Sequence, residues 1–547
     1  MLGLMQDVPL TTTAILDRAV QLWGNRTIVT STVVGPTTTE VRTFGKHTRR
    51  LAAALDALDL TPDARIGTFC SNTEHHLQLY FAVPATGRVL HTINIRYSPE
   101  QIRYCIGHAS DEAVFVDRGL CQTLLPILQQ MEAVRYVVIV PDGTDHIIPP
   151  DRRIIHWADL VENTTELDWE GRISNEDQAA GLCYTTGTTG NPKGVLYSHR
   201  SIWLHANAHL LASTSAITDR DTVMPVVPMF HAMAWGLPYA AVLAGANLVM
   251  PGADLSPAAL LGLIDTRHVT YSAGVPTVWM AMLPLLPSAD LSSLNRIMMG
   301  GSAVPPSLLA QWHEATGSIP IQAWGMTESS PVGAMTTLRR ELAGAEVSAR
   351  LAAHGTAGIP LVGVQARILE PGTATQAPWD DTTTGELQIR GPWVARQYYG
   401  TTSPGEQFTD DGWLRTGDVA AISPLGYIKL VDRTKDLIKS GGEWISSIDL
   451  ENLLMTHPAV TEAAVIAVPD PKWIERPLAC VVRRDGVSLS RSDVIEFLID
   501  RLPRWQVPDD VVFVDEIPKT SVGKFSKKDL RDQYATGTLT ATDTPEQ

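Results

Sequence analysis

The chain has 547 residues, 44% of them hydrophobic and 19% charged, with a formal net charge of −16. That length predicts more than one domain, and that composition excludes a disordered chain. The acidic balance excludes nucleic acid as a main partner, which calls for a basic footprint, but it leaves room for anionic ligands at a local basic site.

Taken in chain order, the first seven residues lack a basic region before a long apolar core, so no secretory signal is expected. Short β-like runs then alternate with helical patterns. Strands are predicted at 65–69, 89–93, 112–116 and 136–140, with helices at 74–85 and 99–109 between the first of them. Strands separated by helices favour parallel α/β layers, and the alternation returns between 223 and 299. Breaks rich in Pro, Gly and Thr fall at 371–372 and 382–385. From 385 to 430 the pattern is strand-rich and predicts a small β subdomain. The charged stretch 432–437 lies between apolar strands and reads as a linker. Helix and strand signals from 438 to 534 predict a small α+β domain, and 535–547, rich in Thr, Gly and Pro, is expected to be disordered. No apolar run approaches the ~20 residues of a membrane span, so any membrane contact is expected to be peripheral. The five cysteines, at 70, 105, 121, 183 and 480, are scattered and lack paired spacing. They suit buried, reduced thiols in a cytoplasmic setting rather than a cysteine metal site.

The most informative run is Tyr184-Thr185-Thr186-Gly187-Thr188-Thr189-Gly190-Asn191-Pro192-Lys193-Gly194, with apolar residues on both sides. It reads as strand, loop, strand. Glycines let backbone N–H groups converge on an anion, threonine hydroxyls add donors, and Lys193 adds a cation. Such a loop suits a polyphosphate. It departs from the Walker pattern, because Asn191-Pro192 follows Gly190.

This run resembles the phosphate loop of the adenylate-forming superfamily, which includes acyl- and aryl-CoA synthetases, luciferases and the adenylation domains of peptide synthetases. Four more segments match that family in order. Gln322-Ala323-Trp324-Gly325-Met326-Thr327-Glu328 resembles its adenine and magnesium segment, and Trp413 to Asp418 its ribose segment. The stretch from Asp432 to Glu443 resembles its hinge and following strand. Pro518 to Lys524 resembles the segment of its catalytic lysine. The likeness covers nearly the whole chain and is strongest to bacterial fatty acyl-CoA synthetases and 3-(methylthio)propionate-CoA ligases. It implies an α/β fold: a large N-terminal domain of layered α/β subdomains plus a small β subdomain, residues 1–431, hinged at 432–437 to a mobile α+β domain, 438–534.

What the resemblance implies for chemistry can be set against physical need. Carboxylate and triphosphate repel each other, so Mg²⁺ and basic groups must neutralise charge and hold the reactants in line. Thr185 and Glu328 match the magnesium positions. The loop residues Thr185 to Gly190 and Lys193, with Gly301, Ser302, Gln322, Ala323, Trp324, Gly325 and Thr327, match the ATP site. Asp418 matches the ribose clamp, and Arg433, Lys435, Lys439 and Trp444 are expected to reach the nucleotide. Lys524, on a short loop after Gly523, is expected to place a point charge between carboxylate and α-phosphate. His231, Trp235, Gly301 and Ala323 are the candidate acid pocket, with Trp235 at the position of the family's tunnel gate.

Thiolysis by CoA would follow rotation about Asp432, which brings up the face of Gly441, Gly442 and Glu443. Glu475 also matches a family segment, although Ile474 stands where the family usually has Gly. The expected activity is ATP-dependent synthesis of an acyl-CoA from a medium- or long-chain fatty acid, with AMP and pyrophosphate released. A short acid such as 3-(methylthio)propionate is the alternative substrate. A luciferase-like oxidative enzyme and a silent nucleotide-binding regulator are the rivals from other classes. A homodimer is expected by the same resemblance.

Overall fold

The computed structural model describes the whole chain except residues 2, 186–190, 371, 442, 521–522 and 540–547. The first elements form where the local signals place them. Arg65–Phe69 is a strand and Glu74–Ala85 a helix whose first turn is capped by Thr73. Pro99–Ala109 starts at a Ser98/Gln101 capping box with Pro99 in its first turn, where a missing N–H costs nothing. Tyr136–Val140 follows as a strand, and Arg65–Phe69 lies between the strands Val89–Thr92 and Asp111–Asp117.

Among the described residues the strands make four sheets. One has seven strands and holds Ala179–Tyr184 parallel to Val89–Thr92 and antiparallel to Gly194–Ser198. The phosphate-loop run is therefore the turn of a hairpin whose first arm is anchored in a sheet interior. The second sheet has nine strands and carries Tyr271–Gly274, Arg296–Gly300 and Ile321–Gly325 side by side in parallel. Residues of both sheets share one apolar core, with Ile66, Leu90 and Cys183 from the first and Ile28, Leu248 and Tyr271 from the second. The helix Leu237–Ala244 is apolar and buried on all sides, and Glu74–Ala85, apolar from Leu79 onward, is buried along nearly its whole length, as elements inside such a core must be. Tyr239 donates to the carbonyl of Tyr80 at 2.9 Å and ties the two helices together.

The strand-rich segment forms a four-stranded antiparallel sheet, from Gln365–Leu369 to Ile428–Arg433. The last of these strands runs into the linker: Asp432 and Arg433 still pair with Val419 and Asp418, and the chain bends at 434–437. The C-terminal part has its own cores and a five-stranded sheet built around the hairpin of Val460–Asp470 and Ile474–Arg483. The helix Lys527–Ala535 closes it. Leu539 still donates to the carbonyl of Gln533, and residues 540–547 of the expected tail lie outside the described residues. Among the described residues no helix is long and apolar enough to cross a membrane. All five cysteines are buried and unpaired.

Candidate active site

A cavity of about 410 Å³ opens where the parallel strands of the nine-stranded sheet end. This is the crevice where open α/β sheets bind ligands, and the volume falls in the range of small-molecule sites. Its walls come from both domains. The large domain contributes Thr185, Lys193, His231, Trp235, Gly301, Ser302, Ala323, Trp324, Gly325, Thr327 and Glu328, and the far side contributes Arg433, Lys435 and Lys524.

Close backbone approach explains the glycines. Gly301 has φ +86°, and a Cβ there would lie 3.3 Å from Lys524 Cε and 3.4 Å from Trp235 Cζ2. Gly325 has no room at all, since a Cβ would meet the Pro331 carbonyl. Lys524 reaches the cavity on a tight loop in which Thr520 and Lys524 pair through their backbones at 2.7 Å. Thr277 of the large domain donates to the carbonyl of Gly523 at 3.3 Å, so the lysine loop is docked across the domain boundary. Burial and then the charge of Arg433 push the Lys524 ammonium down to about 8, against the pull of Asp418 and Glu328. His231 is pushed down to about 3 by burial and by Lys524, so its imidazole is neutral at physiological pH.

Asp418 stands just behind the cavity wall. One carboxylate oxygen accepts from Trp324 Nε1 at 2.9 Å and the other pairs with Arg433 Nε at 3.1 Å. Asp418, Trp324 and Arg433 thus form one connected unit. Gln322, on the same strand as Trp324, is buried, and its side-chain oxygen has no protein partner. The phosphate loop is closed at its base, where Thr185 donates to the Lys193 carbonyl at 2.9 Å and the Lys193 N–H donates to Thr185 Oγ1 at 3.1 Å. Thr186, Gly187, Thr188, Thr189 and Gly190 lie outside the described residues, as does Gly442.

Trp235 packs its ring over Gly300 and Gly301 and closes the cavity on that side. It ends a run of four residues, Ala232, Met233, Ala234 and Trp235, that all have φ between 42° and 57°. Left-handed conformation costs roughly 1–2 kcal/mol per such residue, so this buried turn stores strain. The Trp235 carbonyl is held by His209 Nε2 at 3.1 Å, and His209 continues through Ser215 to Tyr271. Behind it, Met233 fills the space over Gly181, where a Cβ would collide with its methyl group.

The other sequence candidates form a separate cluster. Lys439 and Trp444 do not line this cavity. They sit on the hairpin of Ile438–Ser440 and Glu443–Ile445, with the Lys439 ammonium 5.0 Å from the Trp444 ring. Glu475 accepts from the Lys439 N–H at 2.8 Å, and Gly441 donates to the Trp473 carbonyl at 2.8 Å. Trp444, Trp473 and Ile474 are all exposed on this face. Ile474, the departure from the usual Gly, keeps the backbone that glycine would have, at φ +75°. The expected pivot Asp432 is buried, and its carboxylate takes the N–H of Ser447 at 2.7 Å together with its hydroxyl.

Two features depart from the reading of the sequence. Tyr398 lines the cavity and donates to Glu328 Oε1 at 2.6 Å. Lys527 is no solvated helix start: it pairs with the buried Glu451 at 2.8 Å and reaches Ser447 beside Asp432. In the sequence only an aromatic pair, Tyr398-Tyr399, marks the first, whereas the second belongs to the basic cluster of Lys519, Lys524, Lys527 and Lys528, which reads either as a local site for anionic ligands or as a solvated helix start.

Comparison with known proteins agrees with this architecture. Residues 16–399 match the family described as AMP-binding enzyme, and residues 449–524 match the AMP-binding enzyme C-terminal domain. The 3-methylmercaptopropionyl-CoA ligase of Ruegeria lacuscaerulensis is 40% identical over 98% of this chain and 99% of its own. The long-chain-fatty-acid–CoA ligase of Thermus thermophilus is 42% identical over 97% of this chain and 96% of its own. The crystal structure of ATP-bound MatB from Rhodopseudomonas palustris superposes with a TM-score of 0.82 at 24% identity, covering 96% of this chain and all of that one, which establishes the fold.

Proposed function

This chain belongs to the AMP-binding enzyme family, and from that premise we propose that it is an acid–thiol ligase. It joins a carboxylic acid to AMP and then passes the acyl group to CoA. The observation that carries the reading is the docking of Lys524 into a cavity whose other walls hold Glu328, Lys193 and Trp324.

The first half-reaction needs two anions brought into contact. Lys193 at the loop and Lys524 at the opposite wall supply positive charge on either side of the phosphates, at positions fixed before reaction. Trp324 offers an aromatic face to adenine, and Asp418 behind it offers carboxylate oxygens to the ribose hydroxyls. His231, held neutral, hydrogen-bonds the incoming carboxylate without competing with Lys524 for its charge. The hydroxyl of Thr185 and the carboxylate of Glu328 are hard oxygen donors that suit Mg²⁺, which when bound neutralises phosphate charge. Attack of the carboxylate oxygen on the α-phosphorus releases pyrophosphate and leaves the acyl-adenylate.

Thiolysis then requires that Lys524 leave. Rotation about Asp432 would exchange it for the Gly441–Glu443 face, where Glu475 and the exposed Trp444 and Trp473 lie. The CoA sulfur attacks the acyl carbon, and AMP departs. Five unpaired buried thiols support a reducing, cytoplasmic setting for this work. A homodimer remains the expected assembly.

For the acid we propose a medium- or long-chain fatty acid, admitted when Trp235 swings off Gly300 and Gly301. The strain in the 232–235 turn supports such a movement, as does the identity to the Thermus thermophilus enzyme. The closed position of Trp235 and the Met233 filling favour the second reading, a short acid such as 3-(methylthio)propionate. A panel of acids from acetate to palmitate, with ATP, Mg²⁺ and CoA and mass detection of the thioester, decides. A maximum at eight carbons or more supports the fatty-acid reading. A maximum at short acids replaces it with the second.

A further inference from the structure

Tyr398 occupies a position between two opposite charges. Its hydroxyl donates to Glu328 Oε1 at 2.6 Å, and the Lys193 ammonium lies over its ring, 4.6 Å from the centroid. Lys193 and Glu328 both line the cavity, and among the described residues each meets Tyr398 and the two form no ion pair with each other. An ammonium and a carboxylate brought together in a site partly shielded from water attract each other. Such a pair would neutralise the phosphate-binding cation and fill the carboxylate's oxygens together.

The segment that carries Tyr398 is fixed on both sides. Ala395 N–H donates to the Glu328 carbonyl at 2.7 Å, and Tyr399 N–H donates to the Gly194 carbonyl at 2.8 Å. Ser330 Oγ donates to the Trp393 carbonyl at 2.8 Å. The segment therefore stitches the metal-binding turn to the strand that leaves the phosphate loop, and it sets the tyrosine ring between them.

We propose that Tyr398 is a positioning residue that keeps Lys193 and Glu328 apart. Its ring face holds the lysine ready for phosphate. Its hydroxyl fixes one carboxylate oxygen, so that the remaining lone pairs of Glu328 stay open to a divalent cation or its water shell. The role rests on the function proposed above and adds a residue that no motif assigns.

The test is Mn²⁺ binding, followed by electron paramagnetic resonance of the free ion, on full-length wild type, Tyr398→Phe and Tyr398→Ala, each saturated with α,β-methylene-ATP. Losing one hydrogen bond to a charged group corresponds to a weakening of roughly tenfold. Tyr398→Phe should bind Mn²⁺ about tenfold more weakly, with metal-free nucleotide affinity unchanged because the ring still holds Lys193. Tyr398→Ala should lose affinity for both, as the lysine falls onto Glu328. A thermal unfolding midpoint of Tyr398→Phe equal to that of wild type separates the weaker metal binding from a general loss of folding. Equal Mn²⁺ affinity in wild type and Tyr398→Phe, or equal losses of metal and nucleotide in Tyr398→Phe, would overturn the role. A wild type that binds no Mn²⁺ with nucleotide present would overturn the proposed function as well.

Discussion

Replacing Lys524 with methionine separates two effects that the structure sets in opposition. The side chain keeps nearly its length and loses its charge. In the unliganded protein that charge is unwelcome: the fall of the ammonium from 10.5 to about 8 corresponds to roughly 3 kcal/mol of bias against the protonated form. The half-open cavity screens part of that, so Lys524→Met should leave folding stability unchanged or raise it by about 1–2 kcal/mol. Once triphosphate and carboxylate are bound, the same charge faces the developing negative charge at the α-phosphorus. Removing one such fixed group costs on the order of 10²–10³ in rate. ATP–pyrophosphate exchange at saturating acid should therefore fall by about that factor. Thiolysis of supplied acyl-adenylate should stay within about twofold of wild type, because in the proposed rotation Lys524 leaves the site before that step. The two half-reactions and urea denaturation are measured on the same preparation. An exchange rate within tenfold of wild type, or a parallel loss of thiolysis, would refute the assignment of Lys524 to one step.

Three other outcomes follow from particular contacts. Adenylation needs the Lys524 ammonium, whose folded-state value is lowered to about 8, so kcat/KM for exchange should be flat below neutrality and fall as pH rises through about 8. Lys524→Arg, whose guanidinium stays charged, should lose that alkaline limb whatever its absolute rate, and a retained limb would assign it to another group. Trp235→Ala removes the ring that covers Gly300 and Gly301, and should raise kcat/KM for palmitate relative to butyrate by on the order of tenfold; an unchanged ratio would show that the ring does not limit chain length. Ile474→Gly should raise stability by about 1 kcal/mol, because a β-branched residue at φ +75° is strained, whereas glycine in an ordinary strand lowers it by about that amount. Urea denaturation reads the sign, and destabilisation would mean that Ile474 is held without strain.

The parts of the site that were legible in the sequence are those where chemistry dictates residue type locally. A loop that binds phosphate needs glycine, hydroxyl and lysine close together, and Thr185 and Lys193 do lie at the cavity. Gly325 sits where a side chain has no room, and Gly301 takes φ +86° in close contact with Lys524 and Trp235, a conformation that favours glycine. The first strands and helices were legible because caps, prolines and apolar runs act within a few residues. Long-range contacts were not legible. Thr277 meets Gly523 across 246 positions, and Tyr398 meets Glu328 across 70. Nothing in the local pattern of either segment encodes its partner. Lys439 and Trp444 show the converse: matching a motif did not place them at this cavity, because they pack against each other on a different face of the small domain. Nor did the apolar runs within Glu74–Ala85 and Leu237–Ala244 reveal that both helices lie inside one core shared by two sheets, since such burial is a property of the assembled layers.

The central claim is a two-step reaction through an acyl-adenylate, and trapping that species tests it most directly. The protein is mixed with octanoate or 3-(methylthio)propionate, ATP and Mg²⁺ without CoA, quenched, and examined by mass spectrometry, and a parallel sample is chased with CoA. The account predicts acyl-AMP and pyrophosphate in the first sample, converted to acyl-CoA and AMP in the second. ADP and inorganic phosphate in either sample, or acyl-CoA formed with no adenylate that a CoA chase can consume, would contradict it.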